Sequence, residues 1–533
     1  MNIIYLTTEA VPLAKTGGLA DVCGALPSRV AELGHRTGII MPAFRSVHQS
    51  GLPIEATDIS FAISLSPNRL VGCRLLKTTI PDGNVPVWLI DQPVYFDRDS
   101  LYGTPAGDFP DNGERFVFFC RAAMIAIERI GWSVDIVHCN DWQTGLVPAL
   151  MKINADQYSW IRPSKAVGAG LLASAGRPSP TSSSSGSSPT NQHVSDQPSK
   201  WGTRSVMTIH NLAYQGHFPK TLYPMIGVDW HHFHLEAFEY FDEVNFLKTG
   251  IVSADMITTV SPRYSQEIRT PQQGCGLDGV LRHASDRVTG IINGIDTNVW
   301  NPETDPHLFQ NYNTEDWQEG KAANKLALQK RFGLLPSKDV PMIGLVGRLA
   351  TQKGWDFILP VLRRHVEESR PSQWIVLGSG EAPFEKALKQ LELEFPGKFA
   401  LHVGFSDALA HQIEAASDVF VMPSHYEPCG LNQLYSLRYG TIPVVTPTGG
   451  LADTVVDCTE ETLAMGTATG FHLRENSPKG LDDAIGHALH LRYHNNSAWS
   501  QMVLSGMQQD WSWGKSAKEY VNLYERTRSL KSN

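Results

Sequence analysis

The sequence predicts an α/β protein of two Rossmann-like, doubly wound domains, and three observations carry that reading. The chain has 533 residues, too many for one ordinary domain. Twelve short apolar runs recur along it, of the kind that parallel strands buried on both faces require. Between most of them lie longer stretches with helical patterning, which makes strand–helix units. Twelve strands overfill one small sheet, so two sheets are expected.

The first series of runs is Ile3–Thr7, Gly38–Met41, Val87–Ile90, Asp135–His138, Val206–Ile209 and Met256–Val260. The second is Gly290–Ile292, Met342–Val346, Trp374–Leu377, Ala400–Val403, Val419–Met422 and Thr441–Val445. The break between the domains is placed near Arg287–Asp296, giving a first domain over 1–288, a second over 289–505, and a C-terminal segment over 506–533 that contains a helix, Lys515–Arg528. From Ser174 to Ser199 the chain is mostly Ser, Pro and Gly. It has too little apolar surface to offset its ordering entropy, so residues of about 164–200 are expected to form a disordered surface insertion within the first domain.

Composition narrows the function. The formal charge of -9 argues against nucleic acid as main partner, since that binding rests on a basic footprint. No run of about 18 apolar residues is present, so no membrane span is expected. The first residues read as a buried strand rather than a signal peptide, which makes a cytoplasmic chain the expectation, with a plastid or a starch-granule surface also compatible. Seven scattered cysteines without a CxxC pair read as free thiols. There is no HExxH, and His231-His232-Phe233-His234 is read as structural, in an aromatic helical stretch.

Four motifs sit where strands end. Lys15-Thr16-Gly17-Gly18-Leu19-Ala20-Asp21-Val22 follows the first strand and opens a helix, where paired glycines allow close approach of a ligand and the helix start favours anions. A tight turn with a solvated lysine explains those residues equally well. Gly347-Arg348 and Lys353-Gly354 follow the strand Met342–Val346. Two cations at the carboxyl end of a parallel strand suit a diphosphate, which Arg grips as a fork and Lys follows as a mobile charge. In Ser424-His425-Tyr426-Glu427-Pro428-Cys429-Gly430-Leu431, the carboxylate of Glu427 suits sugar hydroxyls and the amides near a helix start suit phosphate. His138-Cys139-Asn140-Asp141-Trp142 and His210-Asn211-Leu212-Ala213-Tyr214-Gln215-Gly216 combine hydrogen-bonding groups with aromatic faces, as sugar recognition does.

These motifs, with Gly276-Leu277-Asp278-Gly279, Asn293-Gly294-Ile295-Asp296 and Thr448-Gly449-Gly450-Leu451, occur in an order that resembles the bacterial glycogen synthase and plant starch synthase family. The resemblance spans nearly the whole chain. It implies the GT-B fold, with an active site in the cleft between the domains and a last helix that crosses back to the first domain. It also implies transfer of glucose, with retention and without metal or cofactor, from ADP-glucose or UDP-glucose to the non-reducing end of an α-1,4-glucan. By the same resemblance Lys15, Gly18, Arg348, Lys353, Asn293, Glu427, Cys429, Gly430 and Leu431 bind the nucleotide-sugar. Phe405 stacks on its base. Glu9, Asp141, Trp142 and Asn211 meet the acceptor, and His210 and Asp141 orient the sugars at the catalytic centre alongside Glu427, Lys15, Arg348 and Lys353.

The Ser/Pro-rich insertion, Asn432, and Thr446-Pro447 where many bacterial members carry a basic residue depart from the commonest bacterial pattern. The last lies closer to granule-bound starch synthases. Two other readings stand beside this one. Asp141 and Glu427 could form the carboxylate pair of a glycosidase, although the basic pair Arg348 and Lys353 would then lack a task, and a phosphorylase of similar fold would be expected to carry a cofactor-binding lysine motif near its C-terminus, where none is seen. A non-catalytic glucan-binding scaffold is the third.

Overall fold

The computed structural model describes residues 1–104, 107–161 and 202–530. The expected insertion at about 164–200 lies outside the described residues.

Two sheets organise the chain. The first has nine strands in the spatial order Val288–Gly290, Met256–Thr259, Arg204–Ile209, Ile136–Asn140, Asn2–Leu6, Arg36–Pro42, Val85–Asp91, Arg69–Ile80, Glu55–Ser66. The first seven run parallel and the last two add as an antiparallel hairpin. The second sheet is parallel, in the order Phe399–Val403, Gln373–Gly378, Met342–Val346, Val419–Met422, Ile442–Val445, Phe471–His472. The strands Ile136–Asn140 and Val419–Met422 are buried at every residue, because helices cover both faces and leave no edge for a polar residue.

All twelve expected runs form strands, with ends shifted by a few residues. The run at Gly290–Ile292 is displaced to Val288–Gly290, the outer strand of the first sheet, so the expected boundary at 288 falls inside that strand. The hairpin Glu55–Ser66/Arg69–Ile80 was not expected. Its first strand alternates exposed and covered residues, a period-2 pattern that a search for uniformly apolar runs passes over. The stretch at 231–234 is not helical. It holds a short 3-10 turn, Trp230–His232, with His231 exposed and paired to Asp229.

The last helix, Trp513–Arg528, buries Trp513, Ser516, Ala517, Tyr520, Leu523, Tyr524 and Thr527, a single face at helical spacing. That face joins the core of the first sheet. The Tyr524 hydroxyl lies 2.8 Å from His138 Nδ1 and 3.1 Å from the Tyr5 hydroxyl. The chain thus crosses between the sheets twice, and the crossings touch: Ile295 N–H donates to Trp511 O at 2.8 Å. A Cβ on Gly294 would fall 2.6 Å from Trp513 N, so only glycine permits the approach.

A second link is reciprocal. The helix Pro262–Glu267 belongs to the first sheet's half and Gly449–Thr454 to the second's. Glu267 accepts hydrogen bonds from Gly449 N–H at 3.0 Å and Thr448 Oγ1 at 3.2 Å. Asp453 accepts from Ser261 Oγ at 2.5 Å and Arg263 N–H at 2.9 Å. Each helix sets a carboxylate on the other's N-terminus, where the free amides and the dipole favour it.

Candidate active site

Each sheet changes winding direction once in its parallel part, and open α/β sheets form their ligand crevice at that point. In the first sheet the change falls between Asn2–Leu6 and Ile136–Asn140, and in the second between Met342–Val346 and Val419–Met422. The loops that leave these four strands carry Glu9 to Gly18, Asp141, Arg348 to Lys353, and Ser424 to Leu431. They line one cleft between the sheets, about 640 Å³ in volume. The two sides come close: a Cβ on Gly18 would lie 3.8 Å from Leu431 Cδ1.

On the second side, Lys353 Nζ lies 2.6 Å from Glu427 Oε2, which also accepts from Ser424 Oγ at 3.0 Å. Gln352 ties the two loops together, donating to Tyr426 O at 2.7 Å and accepting from His425 N–H at its own carbonyl, 3.0 Å away. Arg348 Nη2 donates to Gln352 Oε1 at 3.2 Å and is otherwise exposed. Glycines make the shape possible. Gly449 has φ +46, and a Cβ there would lie 1.9 Å from Glu427 O, while Gly450 N–H donates to that same carbonyl at 3.2 Å. The helix after Leu431, Asn432–Arg438, has no side-chain N-cap, so Glu427 is not spent as a capping acid. Asn432 donates to Val346 O at 2.6 Å, which pins that helix start to the strand bearing Gly347-Arg348.

On the first side, Asp141 has φ +56, a costly conformation for a non-glycine residue. It is held by His210 N–H donating to Asp141 Oδ1 at 2.7 Å. Burial pushes its carboxyl up to about 7, with the nearby Glu9 charge adding to the effect and backbone donors opposing it. Burial pushes the His210 imidazole down to about 3, so it is neutral. Its Nε2 lies 3.0 Å from Asn140 Oδ1, and because Asn140 Nδ2 donates to Leu6 O and His138 O, that contact assigns the ring proton to Nε2. Burial also pushes the Cys429 thiol up to about 12, so it is no thiolate. All seven cysteines are free.

The cleft brings together Glu9, Gly18, Asp141, Trp142, His210, Asn211, Asn293, Arg348, Lys353, Glu427, Cys429, Gly430 and Leu431. Asn293 is 4% exposed and its Oδ1 has no partner within the protein, an acceptor that a ligand donor would satisfy. Two expected residues are not among the lining groups. Lys15 Nζ is paired at 2.7 Å with Asp21, and Phe405 is 85% exposed. Glu9 borders the cleft with its carboxylate already engaged: Thr16 N–H at 2.5 Å, Thr16 Oγ1 at 2.6 Å, Gly17 N–H at 3.2 Å and Tyr102 Oη at 2.8 Å all donate to it. It shapes the glycine turn. Trp142 is 8% exposed and packs edge-on against Phe116 at 5.0 Å. His138, quoted with Asp141 as one motif, faces away, held by Tyr524 and Thr208.

Sequence reasoning missed Tyr102, Asp108 and Trp355 in the cleft wall. Tyr102 precedes and Asp108 ends a two-strand ribbon, Gly103–Thr104 with Gly107–Asp108, too short to give a periodic signal. Trp355 sits just past Gly354, and its Nε1 donates to Arg348 O at 3.1 Å. Among the described residues no helix is long and apolar enough to cross a membrane, and no group of three or more His, Cys, Asp or Glu is placed to hold a metal ion.

Two largely parallel α/β sheets that face each other across a ligand cleft, bridged by a returning C-terminal helix, are the architecture of the GT-B glycosyltransferase fold. The family described as starch synthase catalytic domain matches residues 2–167 and 190–283, and glycosyl transferases group 1 matches residues 328–501. The chain is 54% identical to a glycogen synthase of Rhodopirellula baltica, with 99% of this chain and 98% of that one covered. It is 44% identical to a glycogen synthase of Syntrophotalea carbinolica, with 99% of each covered. Its structure is similar to the catalytic domain of starch synthase IV from Arabidopsis thaliana, bound to ADP and acarbose, with a TM-score of 0.83, 31% identity and 99% of both chains covered. A sucrose-phosphate synthase of Thermosynechococcus elongatus shares the fold at a TM-score of 0.55 and 15% identity, over 98% of both chains. The chain belongs to the glycogen and starch synthase family, enzymes that build glucan by glycosyl transfer.

Proposed function

We propose that this enzyme transfers glucose, with retention, from ADP-glucose, or alternatively UDP-glucose, to the non-reducing end of an α-1,4-glucan. The carrying observation is the placement of Arg348, Lys353 and Glu427 at one sheet's switch point, opposite Asp141 at the other's and His210 at the end of the adjoining strand. The starch synthase IV relative bound to ADP and acarbose supports a nucleotide-sugar on the second side and a glucan on the first. The division into 1–288, 289–505 and a returning segment 506–533 is kept with its first boundary moved past Gly290, the end of the first sheet's outer strand.

In this reading Arg348 and Lys353 hold the diphosphate and stabilise the charge that grows on it as the glycosidic bond to the donor breaks. Such stabilisation is usually the largest catalytic term. The diphosphate competes with Glu427 for Lys353, freeing the carboxylate to accept from the glucose hydroxyls. The amides near Cys429 to Leu431, with Gly18 opposite, place phosphate and sugar, and Asn293 Oδ1 accepts from the ligand. His210 and Asp141 orient the donor glucose, with Asn211 and Trp142 toward the acceptor. Lys15 leaves Asp21 to reach the diphosphate when the halves close, and Phe405 covers the base. Closure excludes water that would otherwise hydrolyse the donor. A cytoplasmic location completes the reading.

The test is glucosyl incorporation into a maltooligosaccharide, with ADP-glucose and UDP-glucose offered separately and Glu427→Ala as control. Extension that Glu427→Ala abolishes is expected. A folded, glucan-binding wild type that transfers from neither donor would overturn the reading.

A further inference from the structure

We propose that the hairpin tip at Phe241 is a glucan-binding platform that continues the acceptor path out of the cleft. The proposal rests on the reading of the acceptor as an α-glucan.

The hairpin pairs Glu239 with Val244 and Tyr240 with Glu243, so its turn is the two residues Phe241-Asp242. Both have positive φ, 50° and 64°. Such turns ordinarily use Asn-Gly, because a Cβ disfavours that backbone and an aromatic residue disfavours it more. The conformation is actively held. Lys220 Nζ grips both carboxylate oxygens of Asp242 at 2.6 and 2.8 Å, and Asp242 N–H donates to Glu239 Oε1 at 2.8 Å. The result is a phenyl ring 83% exposed to solvent, standing edge-to-face on Tyr240 at 4.7 Å. Folding gains nothing from a strained backbone that presents a large apolar ring to water. A strained backbone that its surroundings over-determine is a starting point for a functional hypothesis, and here what it displays is an aromatic face.

The ring is linked to the cleft by a short chain of contacts. Tyr240 Oη donates to Gly276 O at 2.8 Å, and its ring lies 5.5 Å from that of His217. The preceding Cys275 offers its carbonyl to Gln215 Nε2 at 2.9 Å. Gln215 follows Tyr214, which lines the cleft and is 53% exposed. The track therefore runs from the cleft wall at Tyr214, past Cys275-Gly276, to Tyr240 and Phe241. Aromatic faces interleaved with His217, Asp242 and Glu243 are what a glucan asks for: C–H faces of the pyranose on rings, hydroxyls on polar groups.

Phe241→Ala and Phe241→Trp in the full chain test this. Affinity electrophoresis through glycogen-containing gels is read beside initial rates on glycogen and on maltotriose, the short acceptor that reports on the cleft. For Phe241→Ala the expected result is a glycogen KM and a gel dissociation constant both raised about five- to tenfold, with kcat and the maltotriose KM within about twofold of wild type. Phe241→Trp should behave as wild type. Unchanged glycogen binding in Phe241→Ala would overturn the proposal, and so would an equal loss on maltotriose, which would mark a disturbed cleft. Wild type that retards in the gel yet transfers no glucose to maltotriose would overturn the synthase reading instead, leaving the gel comparison of Phe241→Ala to decide the platform.

Discussion

Asp141→Asn separates charge from shape in the cleft. Asparagine tolerates positive φ as aspartate does, and its side-chain oxygen can still accept from His210 N–H. What it removes is an ionisable group that burial holds at about 7 instead of its ordinary 3.8. A shift of about three units corresponds to about 4 kcal/mol of penalty on the carboxylate form. Asp141 keeps part of its surface open to the cleft, so solvent reduces this, and about 2–4 kcal/mol is the expected range. The folded-state value is raised above the unfolded one. Its contribution to stability is therefore fully present below about pH 4 and is lost as pH rises through about 7. Guanidinium unfolding of both proteins at pH 5, 6, 7 and 8 measures it. The first unfolding midpoint is compared, since two domains need not unfold as one. The stability of Asp141→Asn relative to wild type should climb from pH 5 to pH 8 and then level off. A difference that is flat with pH, or one that grows as pH falls, would refute the burial argument.

Lys353→Ala removes the cation 2.6 Å from Glu427 and should lower kcat/KM by about 10²–10³ in a glucosyl-transfer assay, with secondary structure by circular dichroism retained. Gly449→Ala should push the Glu427 backbone out of place, since its Cβ would lie 1.9 Å from Glu427 O. More than about tenfold lower activity and about 2–4 kcal/mol lower stability in denaturant unfolding are expected. Tyr524→Phe leaves buried His138 Nδ1 without its 2.8 Å partner, which should cost about 1–3 kcal/mol in the same unfolding assay while the maltotriose KM stays unchanged. Glu267→Ala removes one half of the reciprocal helix link. It should raise the donor KM about three- to tenfold in steady-state assays, because the halves then lose a fixed orientation.

The sequence by itself determined the two-sheet α/β fold and most of the cleft. Strands buried on both faces must be continuously apolar, so runs such as Met342–Val346 and Val419–Met422 are legible without any knowledge of their neighbours. The residues just after those runs are forced to the carboxyl edge of a sheet, which places Arg348, Lys353, Glu427, Asp141 and His210 at strand ends, while their union in one site between the domains was implied by the family resemblance. Tertiary structure alone decided which of the named residues face the cleft. Alternate residues at a strand end point opposite ways, so His138 turned to the last helix while Asp141 turned to the ligand side. Glu9 had its carboxylate taken by four donors that include Tyr102, some ninety residues away. The hairpin Glu55–Ser66/Arg69–Ile80 was lost for the converse reason, because a half-exposed strand alternates and never forms a continuous apolar run. The reciprocal carboxylates of Glu267 and Asp453, and the strained tip at Phe241, depend on contacts between segments far apart in sequence or on backbone angles. A one-dimensional pattern records neither.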